Sequence, residues 1–419
     1  MEEPVVNRDF YLNQLVAAKD RPMVKVVTGI RRAGKSMLVF RLFRDYLLKH
    51  GVKEDHIVAL DLETQKNKPY RDPQRLYEFV VSRIRDRKRH YVLLDEIQLV
   101  EGFEDVANGL MVDDGCDVYL TGSNAKLLSR DIDTRFRGRS VEIKVHPLSF
   151  AECLAFPGAN GETADRSELL RQFMLYGGMP YVWQLPTHAE KAAYLDSLNS
   201  TVLFRDLIER YGIRNEQLFA AVLDFLCSNI GSYVSAKKIA DTMKSNGFRS
   251  ASCDTVGNYL EHLCDAFLFH KAKRYDLKGK AYLKTLDKYY ASDLGIRNAR
   301  LNFRQIEPTH ALENLVYLEL IKRGYRVDVG KNREKEIDFV VGDRSGERIY
   351  IQSAYTLMGD GKREQELSSF RGLDDGYRKI VVTMDDDPFD DLGDGYRKIN
   401  IFDFLLDDRS LERGWSRNQ

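Results

Sequence analysis

The chain has 419 residues, more than one ordinary hydrophobic core takes in, so roughly two to four domains are expected. Hydrophobic residues make up 43% and charged residues 31%, and no apolar run approaches the roughly 20 residues of a membrane helix, which excludes a membrane span. Lys+Arg and Asp+Glu both number 64, so a globally basic nucleic-acid binder is excluded and any such binding must come from local segregation of charge.

The N-terminus reads Met-Glu-Glu-Pro without the charged-then-apolar pattern of a signal segment. Cys116, Cys153, Cys227, Cys253 and Cys264 are scattered and show no CxxC spacing, which argues against a disulfide framework and against a zinc site. A reducing, cytoplasmic setting is expected. Charge does segregate: Arg83 to Arg89 and His270 to Lys284 are basic and Asp374 to Asp408 is acidic, although each run alone reads as a solvated face.

From Met23 to Val145, β-branched runs alternate with amphipathic segments, the pattern of a parallel α/β sheet. Strands are predicted at Val24 to Thr28, His56 to Leu62, Tyr91 to Leu94, Val118 to Thr121 and Val141 to Val145. Between the first two, Ser36 to His50 reads as a helix with Leu38, Val39, Leu42, Phe43 and Leu47 on its apolar face and Gly51 ending it. Residues 157–167 read as an exposed loop. Helical spacing follows from about Arg166 to Arg210, broken by a turn at Gly177-Gly178-Met179-Pro180.

Helices at Leu218 to Asn229, Ala236 to Lys244 and Thr255 to Asp265, then two strands across the turn Asp276 to Lys280, give the order of a winged helix-turn-helix. A helix around Glu313 to Lys322 and strands Tyr325 to Val329, Glu336 to Val341 and Arg348 to Ala354 come next, followed by a helix near Lys362 to Phe370. The local repeat Asp-Gly-Tyr-Arg-Lys-Ile, at Asp375 to Ile380 and Asp394 to Ile399, marks two paired strand starts.

Gly29-Ile30-Arg31-Arg32-Ala33-Gly34-Lys35-Ser36 fits GxxxxGK[ST] between a predicted strand and a predicted helix, with Met37 next. The glycines let backbone N–H groups face a phosphate, Lys35 can bridge the β- and γ-phosphates of ATP, and the Ser36 hydroxyl can ligate Mg²⁺. The strand Tyr91 to Leu94 ends in Asp95 and Glu96, at the carboxyl edge where such sheets bind ligands. Asp95 would hold Mg²⁺ through water, and Glu96 would orient or deprotonate the attacking water. Ser123 or Asn124, after the next strand, can bond water or the γ-phosphate, or cap a helix from Ala125 to Leu128. One of Arg135, Arg137 and Arg139 can serve as an arginine finger, in cis or across a subunit boundary, or simply face solvent.

These residues, with Gly138-Arg139, Pro147 to Phe150, Tyr176 to Pro180, Tyr275 to Lys280, Lys288 to Tyr290, Asp293 to Gly295 and Glu336 to Phe339, resemble the AAA+-type ATPases of bacteria and archaea that carry an uncharacterised C-terminal domain. The resemblance implies an α/β P-loop core over 1–155, a helical lid or connector over 156–215, a winged helix over 216–304 and a nuclease-like α/β domain, similar to restriction endonucleases, over 305–419. It gives Asn124 a sensor-like and Arg139 a finger-like role. Met37 stands where the family usually has Thr.

In the last segment Glu313, Asp338 and Gln352 fall where the metal ligands of a PD-(D/E)xK nuclease would lie. Gln352 replaces a carboxylate and Ala354 stands where the motif needs a lysine, so a degenerate, inactive fold is expected. On the predicted wing, Lys271, Lys273, Arg274, Lys278, Lys280 and Lys284 can contact double-stranded DNA, whereas Asp254, Glu261 and Asp265 oppose it on the helix meant for the groove. An ATP-driven motor or switch acting on nucleic acid is therefore the leading expectation, with a nucleotide-gated protein-interaction switch and an active nuclease as its alternatives, and a homo-oligomer is compatible with each.

Overall fold

A computed structural model describes residues 5–112, 114–123, 136, 138–156, 165–283, 286–342, 346–387 and 389–412, with the side chains of 201 and 202 excepted. The chain divides into two compact units, Met1–Pro147 with Asp265–Phe267, and Leu148–Cys264 with Leu268–Gln419.

The first unit is built on five parallel strands, β1 (Val24–Thr28), β2 (Ile57–Asp61), β3 (Tyr91–Asp95), β4 (Asp117–Gly122) and β5 (Ser140–Lys144), in the order β2-β3-β4-β1-β5. All five predicted strands are present, each shifted by no more than a residue or so at its ends. β1, β3 and β4 are buried throughout, which is why their sequences run largely apolar without alternation, with Lys25 and Asp117 as charged exceptions. Helices Pro73–Val81 and Phe103–Val112 place Leu76, Val80, Val106 and Leu110 in one core with Val24, Val26, Val92 and Leu94. The first of these starts on Pro73, with the Asp72 side chain accepting the Arg75 amide.

The helix after β1 differs from expectation in its middle. It runs from Lys35 to Lys49, but Leu38–Phe43 winds as a π-helix. The spacing of five between the buried Leu38 and Phe43 suits an i→i+5 turn and keeps both on the core side.

At the amino edge of this sheet Lys25 and Asp117 form an ion pair with both side chains essentially inaccessible to solvent. The Asp117 carboxylate also accepts the Tyr119 hydroxyl at 3.0 Å and the Asp20 amide at 2.9 Å, while Lys25 donates to the Arg21 carbonyl at 2.8 Å. Removing one member strands the others in a desolvated site. Asp117→Ala is expected to cost about 3–5 kcal/mol, measured as a lowered urea midpoint.

In the second unit, helix Arg166–Tyr176 stops at Gly177, as the double glycine predicts. The motif Tyr176 to Pro180 meets Asp293-Leu294-Gly295. Asp293 is buried, caps helix Leu294–Arg300 through the Ile296 amide and accepts the Gly178 amide at 2.7 Å. A Cβ on Gly295 would lie 1.9 Å from the Tyr176 carbonyl oxygen, so only glycine permits this approach.

Helices Glu216–Ser228, Ala236–Ser245 and Cys253–Asp265 accompany a small antiparallel sheet of β6 (Tyr233–Val234), β7 (Phe269–Ala272) and β10 (Asp287–Ala291), ordered β6-β10-β7. The hairpin predicted across Asp276 to Lys280 does form, from β8 (Arg274–Asp276) and β9 (Ala281–Tyr282), but it does not belong to this sheet. It extends the edge of a seven-stranded sheet made with β11 (Arg326–Asn332), β12 (Lys335–Gly342), β13 (Arg348–Ala354), β14 (Arg378–Thr383) and β15 (Tyr396–Asn400), ordered β15-β14-β13-β12-β11-β8-β9. β8 pairs with β11 through Val329 and Arg274, and Leu277 is buried with Ile337 and Tyr350. The second hexapeptide copy lies beside the first, Lys379 opposite Tyr396 on neighbouring parallel strands. Among the described residues no helix is long and apolar enough to cross a membrane.

Candidate functional site: a phosphate loop and a carboxylate cluster

β1 leads directly into the glycine-rich loop. Gly29 takes φ +145°, and a Cβ there would sit 2.0 Å from the Val145 carbonyl oxygen, so the loop can take this path only without a side chain. Ile30 and Ala33 are buried beneath it, and Arg8 donates to the Ala33 carbonyl at 3.0 Å, bracing the loop from behind. Gly34, left-handed, is the N-cap of the helix beginning at Lys35 and offers no side-chain acceptor. The first amides of that helix therefore point at a place suited to an anion.

Lys35 is buried and folds back to donate to the carbonyls of Gly29 and Ile30, at 3.0 and 3.1 Å. Ser36 and Arg32 are exposed, Met37 is half-buried, and Arg31 is paired with Glu63.

Asp95 ends β3, two strands from β1. Its Oδ1 accepts the Thr121 hydroxyl from β4, and the same Thr121 oxygen accepts the Glu96 amide at 3.2 Å. Thr121 thus sets both acids from the neighbouring strand. Glu96 is left-handed, φ +51°, and its Oε2 accepts from the Gln98 amide group and, at 3.4 Å, from Ser123. Burial pushes the Glu96 carboxyl upward against the opposing pull of Lys35. Were Glu96 to handle water as a carboxylate, that role would be lost as pH falls through this raised value, and the acid limb of an ATPase pH–rate profile would lie above the ordinary value for a glutamate.

Of the remaining sequence candidates, Asn124, Arg135 and Arg137 lie outside the described residues. Arg139 is exposed and immediately precedes β5. β5 runs parallel to β1 with Val24 opposite Ser140, so Arg139 is at the amino edge while the loop is at the carboxyl edge. Five residues of strand, about 16 Å, separate them, which rules out the cis role considered for this arginine.

The other acidic site differs from expectation. Glu313, Glu336 and Asp338 bring ligand atoms within 4.8 Å of one another. Gln352 is not one of the three: it donates to Glu366 at 3.2 Å while its Oε1 accepts the Asp338 amide at 3.4 Å. A cation reaches these acids from elsewhere in the chain: Lys288, on β10, donates to Glu313 at 2.8 Å, pairs with Glu336 and is only 4% exposed at its side chain. The Tyr290 hydroxyl also donates to Glu313, at 2.7 Å, and the Tyr233 ring lies 5.5 Å from the ammonium. Burial and the Glu313 charge push Asp338 upward, while its carboxylate accepts the Ser353 amide at 2.8 Å. The three surrounding acids hold Lys288 above its ordinary value against the cost of burial. Glu336 was legible as a partner of Asp338, two residues apart on one strand face. Lys288 was not, because it reaches the cluster from a different sheet.

Parallel order, glycine loop and acidic strand end define the class of the first unit, a P-loop core of the AAA type, and residues 21–154 match the family described as an AAA domain. Residues 167–307 match a domain of unknown function (DUF8612). An uncharacterised protein of Haemophilus influenzae is 35% identical over 384 residues, 91% of this chain and 94% of that protein, and this chain belongs to the same family. An uncharacterised protein of Methanocaldococcus jannaschii is 28% identical over 403 residues, 91% of this chain and 86% of that one. Among solved structures, Aeropyrum pernix ORC1 in complex with DNA is 14% identical with a TM-score of 0.34, covering 72% of this chain and 94% of that one. AMPPCP-bound DnaA from Aquifex aeolicus is 13% identical with a TM-score of 0.31, covering 60% and 85%. Overlaps this loose carry no argument about function.

Proposed function

We propose that the chain is an ATPase that couples Mg·ATP hydrolysis in its first unit to a motor or switch activity of the remaining domains. The observation that carries this is Lys35, buried against the carbonyls of Gly29 and Ile30 in the loop that follows β1, in the sheet whose β3 ends in Asp95 and leads to Glu96. In this reading the amides of residues 29–36 cradle the phosphates and Lys35 exchanges its carbonyl partners for β- and γ-phosphate oxygens. The exposed Ser36 hydroxyl and Asp95, held by Thr121, are oxygen donors of the kind Mg²⁺ takes. When bound, Mg²⁺ supplies charge neutralisation along the β- and γ-phosphates. Glu96 orients the attacking water, Asn124 is a sensor of the γ-phosphate, and Arg139 serves the nucleotide of a second copy of the chain.

The division into core 1–155, connector 156–215, winged helix 216–304 and degenerate nuclease-like domain 305–419 belongs to the same proposal. Double-stranded DNA is its favoured partner, met by Lys273, Lys278 and Lys280, which are exposed. Lys271 pairs with Asp287 and Arg274 lies over the Tyr233 ring, so these two contribute less than their sequence suggests. Lys284 lies outside the described residues. Strand cleavage is not part of the proposal, since an internal ammonium sits among the carboxylates of the nuclease-like domain.

The test is an ATPase assay with and without duplex DNA across protein concentration, beside the Lys35→Ala variant. Turnover lost in Lys35→Ala, activity rising with concentration, and DNA affinity that falls with salt and changes between ATP and ADP are the expected results. DNA binding indifferent to salt and nucleotide, together with one stoichiometric protein partner whose capture needs Lys35 and survives nuclease treatment, would establish the protein-interaction switch instead.

A further inference from the structure

One face of the seven-stranded sheet carries tyrosines and arginines in alternation, close to the edge that β8 and β9 form. Tyr282 stands opposite Tyr275 on the hairpin, and Gly342 of β12 stands opposite Arg326 of β11 on one side and Arg348 of β13 on the other. Residues opposite one another in a ladder project from the same face. Ring contacts join the two sets. The Arg326 guanidinium lies 5.6 Å from the centre of the Tyr282 ring and donates to its hydroxyl at 2.9 Å. The Arg348 guanidinium lies 5.1 and 6.0 Å from the Tyr275 and Tyr377 rings and donates to the Tyr275 hydroxyl at 3.4 Å. Tyr275 and Tyr282 meet edge to face at 5.2 Å.

This surface is open and its positive charge is not spent. Tyr282 is 44% exposed and the Arg326 side chain 71%, while Tyr275, Tyr377 and Arg348 are half-buried. A Cβ on Gly342 would meet nothing within 4 Å, so the space above the sheet between the two arginines is empty of protein. The neighbouring carboxylates have partners of their own: Asp375 takes the Tyr350 hydroxyl and Lys379, Glu347 takes Arg378, and Asp328 takes the Tyr282 hydroxyl at 2.8 Å, with Arg326 4.0 Å away. Among the described residues no carboxylate pairs with Arg348. Tyrosines hold this guanidinium in place and leave its charge for an anion from outside.

We infer that this face binds single-stranded nucleic acid, with a base stacked on Tyr282 and phosphates on Arg326 and Arg348. Every base offers a π-face to an aromatic ring only when it is unpaired, because a duplex keeps those faces inside its own stack. Rings interleaved with guanidinium groups on a sheet therefore favour the single strand, the rings taking bases and the cations following the backbone. Lys278 and Lys280, exposed at the hairpin turn, prolong the positive track beyond Tyr282. Nucleotide turnover plays no part in this binding.

The full chain, free of nucleotide, would be titrated into fluorescently labelled oligo(dT), oligo(U) and a DNA duplex of equal length. Tyr282→Ala should weaken both single strands by about tenfold and leave any duplex binding through the hairpin lysines unchanged. Tyr282→Phe keeps the ring and should bind like the wild type, although it loses the bonds to Arg326 and Asp328. Arg326→Ala should flatten the plot of log affinity against log salt by about 0.7 for a single strand, one phosphate contact fewer. Arg87→Gln, which removes an exposed cation of the first unit, should leave single-strand affinity as it was. The tighter of the two oligomers identifies the sugar. Three results would overturn the site: no single-strand binding by the wild type, a loss in Tyr282→Phe as deep as in Tyr282→Ala, or equal losses for single strands and duplex in Tyr282→Ala. None of them bears on ATP turnover, and turnover lost in Lys35→Ala leaves this face as it is.

Discussion

Glu96→Gln is expected to lower ATP turnover by about 10²- to 10³-fold while nucleotide still binds, the size of effect seen when one preorganised electrostatic contact to the reacting centre is removed. The geometry explains the separation of binding from turnover. Phosphate contacts are assigned to the loop amides and Lys35, whereas Glu96 is held by Thr121 on β4, by Ser123 just after it and by Gln98 two residues further along its own segment. Glutamine keeps the size and the amide-to-Thr121 bond but cannot take a proton or hold a negative charge opposite water. Single-turnover hydrolysis beside equilibrium binding of a labelled nucleotide separates the two quantities. Unchanged hydrolysis in Glu96→Gln would remove this residue from the chemistry, and joint loss of binding would make it structural.

The second large effect is on stability. Lys288→Met is expected to destabilise the chain by about 3–5 kcal/mol, because it leaves Glu313, Glu336 and Asp338 crowded together without a cation. Combining it with Glu313→Gln should recover part of the loss, since the amide removes one negative charge from the crowd. Denaturant melts of the two single variants and the double variant measure this coupling. Additivity would mean that Lys288 packs through its aliphatic stem alone. In the same cluster the ammonium from β10 stands among the three acids, with the Tyr233 ring 5.5 Å from it and the Tyr290 hydroxyl on Glu313.

The sequence by itself determined the first unit almost entirely. Buried parallel strands leave continuous β-branched runs, and a phosphate loop requires glycine at fixed spacing, so β1 to β5, the path at Gly29 and the acids Asp95 and Glu96 could all be read from local pattern. The turn at Gly177 to Pro180 was legible for the same reason, since backbone conformation is encoded residue by residue. Tertiary structure alone decided the rest. That Thr121 grips Asp95 from β4, that the hairpin of β8 and β9 joins the large sheet, and that Lys288 enters the carboxylate cluster are all contacts between segments well separated in the chain. A polar side chain has no periodic signature of the partner it will meet. Which ammonium neutralises which carboxylate is fixed only when sheets stack and burial makes an unpaired charge too costly to keep.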